Sequence, residues 1–181
     1  MLYKFKLVSD EVSNFAREYE IDSNASFLQL RNLILDSMDY SKDEFDSFYL
    51  CNDHWERMEE VTLVDLGLSE DQDVWVMEDT PLNDLIDEEG QKLVFVFDPL
   101  ADRAFYMEMK EFIPGRSLVD PVCTLKQGKA PAQFIDLDEL EGSLDAKANE
   151  TSSTLEIDDI YDNDQYDDED IASGFDIDNL S

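Results

Sequence analysis

KLVFVF (Lys92 to Phe97), DPLAD (Asp98 to Asp102) and AFYMEMKEFI (Ala104 to Ile113) form the stretch on which the fold turns. The first run is apolar at odd and even positions alike, the pattern of a strand buried on both faces in the middle of a sheet. The last run alternates, with Phe105, Met107 and Met109 on one side, as a strand with one wet face does. Pro99 fixes a bend between them, so the stretch reads as a hairpin.

A central hairpin needs partner strands, and the N-terminal sequence supplies them. Tyr3, Phe5 and Leu7 alternate with Lys4 and Lys6, and Phe15, Arg17, Tyr19 and Ile21 alternate with Ala16, Glu18, Glu20 and Asp22. The polar SDEVSN between these runs predicts a second antiparallel hairpin. Ser26 and Gln29 have capping-box spacing, and Phe27, Leu30, Ile34 and Met38 recur at helical intervals, which assigns Arg31, Asn32 and Asp36 to the wet side of a helix. A strand from Phe45 to Cys51 follows, then a polar break at Asn52, Asp53 and His54 before Trp55. VTLVDLGL (Val61 to Leu68) and PLNDLI (Pro81 to Ile86) read as short helical turns, the second with a proline placed to begin one. Val122 to Leu125 is expected to add a last short strand. The sum is an α+β domain, a mostly antiparallel sheet with a helix packed on one face, whose N-terminal half has the element order of a β-grasp. Such a fold hosts many unrelated activities and sets no function by itself.

Charge divides the chain in two. Of the formal net charge of −33, residues 135–181 carry −16, from seventeen Asp/Glu against Lys147 alone. Like charges repel and bury little, so the expected organisation is a globular domain over residues 1–134 and an acidic, largely disordered interaction tail over 135–181. Leu155, Ile157, Ile160, Tyr161, Tyr166, Ile171, Phe175, Ile177 and Leu180 punctuate that tail. Spaced apolar anchors among acids suit folding onto a basic, hydrophobic partner; docking back onto the acidic domain is opposed by repulsion, and plain solvation is the bland alternative.

So negative a surface works against direct binding of nucleic acid or an anionic membrane, both of which select lysine and arginine. An acidic face that mimics nucleic acid towards a DNA-binding protein is a third, weaker idea. MLYKFKLVSD lacks the apolar run of a signal peptide, and no stretch approaches a membrane span. Cys51 and Cys123 are too few and too far apart for a disulfide framework or zinc site, which suits reduced thiols in a cytoplasmic monomer.

PLNDLIDEEGQKLVFVFDPLADRAFYMEMKEF and the later PVCTLKQGKAPAQF, with the order of elements, resemble the root-inducing-plasmid open-reading-frame-three-like family, whose members also carry a transposon-passenger resolvase-like label. The resemblance spans roughly residues 1–134. Its Tyr-Asp-Phe-Gly-Asp-x-Trp signature falls on Phe97, Asp98, Pro99, Leu100, Ala101, Asp102 and Arg103, where Asp98 is kept, Phe97 is a conservative aromatic, and the glycine and tryptophan are absent. The histidine-bearing strand of the family falls near Ser47 to Leu50, which holds no histidine. Pro121, Cys123, Gly128 and Pro131 match in the second block. The resemblance implies a fold and no established activity.

Chemistry has three places to reside. Cys51, Asp53 and His54 are sequence neighbours, but no oriented third group accompanies them, and a small core thiol beside a loop histidine explains them. Asp98, Asp102 and Arg103 flank the bend after the central strand as a candidate polar site, with turn capping as the plain reading. Asp162, Asp164, Asp167, Asp168, Glu169 and Asp170 lack the ligand order and glycine of a calcium loop. The expectation is therefore a non-enzymatic interaction module, without cofactor, whose acidic tail engages a protein partner. An enzyme or enzyme remnant with a polar pocket at Asp98, Asp102 and Arg103 is the alternative.

Overall fold

The first hairpin forms as its alternation predicts: β1 (Leu2–Ser9) pairs antiparallel with β2 (Ala16–Asp22), Tyr3 opposite Ile21 and Phe5 opposite Tyr19. The computed structural model describes residues 1–67 and 74–135. Helix α1 (Phe27–Met38) begins with a complete capping box, Ser26 Oγ accepting the Gln29 N–H at 3.3 Å and Gln29 Oε1 accepting the Ser26 N–H at 3.0 Å. Then come β3 (Ser47–Cys51), β4 (Arg57–Thr62), β5 (Trp75–Val76), a single turn α2 (Leu82–Leu85) capped by Pro81, β6 (Lys92–Asp98), β7 (Arg103–Ile113) and β8 (Val122–Gln127).

Among the described residues the eight strands join one sheet in the order β5-β4-β3-β6-β7-β1-β2-β8. Every pair is antiparallel except β4 with β5. The chain is thus α+β with a mostly antiparallel sheet. The β6–β7 hairpin lies at the centre, between β3 and β1, so β6 is buried from Leu93 to Phe97 as its unbroken apolar run requires.

Helix α1 covers one face. Phe27, Leu30 and Ile34 are fully buried with Phe5, Tyr19, Phe48, Phe95 and Phe105. Phe27 sits edge-on to Phe48 at 5.4 Å, and Phe48 lies 4.7 Å from Phe95. Burying each such side chain contributes about 1.5–3 kcal/mol, which makes this aromatic layer the main source of cohesion. On the other face Val94, Val96 and Ala104 lie beneath Tyr49, Trp55 and Tyr106.

Three local expectations fail. Arg31 is on the inside of α1, 3 % exposed, because Asp46 meets it there: Nε donates to both carboxylate oxygens at 2.6 and 2.8 Å. Val61 and Thr62 end strand β4 instead of opening a helical turn; the strand begins four residues earlier in Arg57–Glu60, exposed at each position, where no alternation marks it. The third strand starts at Ser47, leaving Phe45 outside it and 62 % exposed. The tail anchors Leu155, Ile157, Ile160, Tyr161, Tyr166, Phe175, Ile177 and Leu180 lie outside the described residues.

Candidate functional site

The bend from β6 to β7 places the three polar residues singled out in the sequence, and each has a different task. Asp98 Oδ1 accepts the Ala101 N–H at 3.2 Å, capping the bend. Asp102 adopts a left-handed conformation, φ 51°, tolerated by aspartate, and its carboxylate accepts a 2.8 Å hydrogen bond from Arg57 Nη2. Arg57 itself lies over the Tyr49 ring at 4.9 Å. Arg103 is almost entirely engaged: Nε and Nη2 donate to the two oxygens of Glu11 at 2.8 Å each, Nη1 to the Gln133 carbonyl at 3.1 Å and Nη2 to the Ala132 carbonyl at 2.7 Å. Its guanidinium stands 4.8 Å from the Phe97 ring centre, and Nη1 is 3.8 Å from Asp98 Oδ2. The Glu11 hydrogen bonds hold Arg103 still more firmly protonated than usual.

The segment that Arg103 grips is tied down at further points. Arg17 Nη1 donates to the Gln127 carbonyl at 2.7 Å and to that of Gly128 at 3.2 Å. Tyr40 donates its hydroxyl to the Pro131 carbonyl. Gln133 clamps Ser41 from both sides, Oε1 accepting its N–H at 2.7 Å and Nε2 donating to its carbonyl at 2.9 Å. Residues 128–133 are therefore a strap, held by side chains because after β8 ends at Gln127 its own backbone has left the sheet.

Beside the strap is a cavity of about 120 Å³ lined by Glu44, Phe45, Phe97, Asp98, Pro99 and Phe134, with Gln133 also contributing. Asp98 and Arg103 are brought together near it; Asp102 is turned away to Arg57. Sequence reasoning missed Glu11, Phe45 and Phe134. Phe134, the last residue of the matching second block, was the available signal.

A family model described as plasmid pRiA4b ORF-3-like protein matches residues 3–174. The chain belongs to this family. In this ORF-3-like protein the match continues past residue 134, where the resemblance was expected to end. The two blocks that carry the resemblance meet in space, since Arg103 of the first holds Ala132 and Gln133 of the second. The crystal structure of a protein of unknown function from Methanosarcina mazei Go1 is similar at TM-score 0.58 and 15 % identity, covering 92 % of this chain and 94 % of that one. At that identity the likeness concerns the fold. No curated protein matches the chain.

The cysteine cluster is not brought together as a reactive site. Burial pushes the Cys51 thiol up, and Sγ donates to the Tyr49 carbonyl at 3.7 Å, the reverse of activation. The His54 and Glu56 N–H groups both bond Asn52 Oδ1, at 2.9 and 3.0 Å, so the polar break is a side-chain-capped turn. Among the described residues no group of three or more His, Cys, Asp or Glu side chains is placed to hold a metal ion.

Proposed function

We propose that this chain is a non-enzymatic binding protein of the cytoplasm, in which the folded unit is a scaffold and the acidic segment 135–181 engages a protein partner with a basic or apolar groove. The observation that carries this reading is the saturation of Arg103: its donors go to Glu11, Ala132 and Gln133, so the most reactive-looking constellation in the sequence is spent on joining the strap to the sheet. The −16 of residues 135–181 and their spaced apolar residues are the features left for recognition. A β-grasp-like origin of the N-terminal half is part of the same proposal, with the β6–β7 hairpin set between β3 and the first hairpin; the order β1-β2-α1-β3 supports it. Among the described residues no helix is long and apolar enough to cross a membrane.

An enzyme built on Asp98, Asp102 and Arg103 is the weaker reading, because of the three only Asp98 lines the cavity. The test is affinity capture with the full chain and with a variant carrying Leu155, Ile157, Phe175, Ile177 and Leu180 all changed to serine. Partners lost from a variant with an unchanged melting transition support the proposal. Partners fully retained, or a melting transition that collapses, contradict it.

A further inference from the structure

Phe45 and Phe134 are 62 % and 59 % exposed, unusual for phenylalanine, and both line the cavity beside the β6–β7 bend together with Phe97. The polar groups completing that lining include two carboxylates, Glu44 and Asp98. Arg103, whose Nη1 is 3.8 Å from Asp98 Oδ2, is shared with Glu11 through a two-pronged bond, so one guanidinium faces two carboxylates. The cavity therefore offers the exposed rings of Phe45 and Phe134 and, with Glu11, Glu44 and Asp98 around the single Arg103, net negative charge. That combination attracts a cation on an apolar stem, through the ring quadrupoles and through Coulomb attraction, and repels phosphate or carboxylate. Size narrows the choice: about 120 Å³ is far below the roughly 300–1,000 Å³ of drug-sized sites and suits a single side chain.

We propose that this cavity receives the ammonium and methylene stem of a lysine side chain presented by a partner protein. Lysine buries its stem along apolar surface while its head stays at a polar boundary, as Phe45, Phe134 and the Glu44 and Asp98 carboxylates allow. The site uses no residue beyond Phe134, so it is separate from recognition by residues 135–181.

The experiment follows amide chemical shifts of the isotope-labelled full chain at about 0.15 M salt, which screens diffuse attraction to the acidic surface. The probes are the end-blocked tripeptide Gly-Lys-Gly and its Nε-acetylated form, which is uncharged. Saturable shifts confined to Phe45, Asp98, Gln133 and Phe134 are expected, with binding weakened roughly fivefold or more by acetylation and by Phe134→Ala. Glu44→Gln, a change at an exposed side chain, is expected to weaken binding without disturbing the remaining spectrum. Shifts scattered over the acidic surface, equal binding of the acetylated peptide, or indifference to both substitutions would overturn the proposal.

Discussion

Arg103 and Glu11, ninety-two residues apart, face each other through two parallel hydrogen bonds of 2.8 Å. This pair joins the loop after β1 to the start of β7, and the same guanidinium then holds the strap. Arg103 is only 12 % exposed and Glu11 33 %, so the interaction is partly shielded from water. Charge-assisted hydrogen bonds of this kind contribute about 1.5–3 kcal/mol.

Arg103→Ala is expected to lower stability by about 2–3 kcal/mol, and Arg103→Lys to recover less than half of that, because an ammonium cannot reproduce the planar fork. Urea unfolding measures both. A loss below about 1 kcal/mol for the alanine variant would show that the strap is held by its other ties, at Arg17, Tyr40 and Gln133.

The buried Arg31–Asp46 pair gives a second prediction. Burial raises the Asp46 pKa, while the Arg31 hydrogen bond and charge pull it back down. Removing one partner strands a charge, so Asp46→Ala is expected to cost about 3–5 kcal/mol. The double variant Arg31→Met with Asp46→Leu should lose less than the sum of the single changes, by about 1–3 kcal/mol. Arg31 also donates to the Lys42 and Glu44 carbonyls at 2.9 and 3.1 Å, so recovery is incomplete. Strict additivity in a double-mutant cycle would refute the coupling.

Gly128 separates conformation from space. Its φ is 69°, and an added Cβ would lie 2.3 Å from the Asn14 carbonyl oxygen, a backbone atom that cannot easily retreat. Gly115 has a similar φ of 73° with nothing within 4 Å. Gly115→Ala should therefore carry only the left-handed penalty of about 1–2 kcal/mol. Gly128→Ala should cost at least about 1 kcal/mol more and loosen the strap, visible as faster hydrogen exchange near Tyr40 and Ser41. Equal costs would show that the Asn14 loop yields.

These examples also mark what the chain makes legible. Local periods and short spacings were readable: Ser26 with Gln29 set the start of α1, and the alternation around Phe5 and Tyr19 set the first hairpin. Residues whose role depends on a distant partner were not. Arg31 looked wet on a helical wheel because nothing local announces Asp46. The Arg57–Glu60 part of β4 is exposed at every position and so carries no pattern, while β5 is two residues long. The candidate site followed the same rule. Asp98 could be assigned to the bend, but that Arg103 spans to Glu11 and Ala132 depends on the β6–β7 hairpin lying next to β1, an arrangement no local period encodes.

Alkaline pH supplies the last test. Burial raises the Tyr40 hydroxyl to about 12 and, aided by Glu60, that of Tyr49 to about 12; burial also raises Tyr19, which is hydrogen-bonded to Ser37 at 2.8 Å. Free tyrosine titrates near about 10. Between those values the folded chain holds more protons than the unfolded one, so stability falls as pH rises. The contribution is fully present below about pH 10 and lost as pH rises through about 12. Tyr40→Phe should be less stable at neutral pH by about 1 kcal/mol, for the lost bond to Pro131, and should show a shallower decline above about pH 10. Urea midpoints measured across that range decide it: an unchanged slope in the variant would mean that Tyr40 ionises in the folded chain as readily as in the unfolded one.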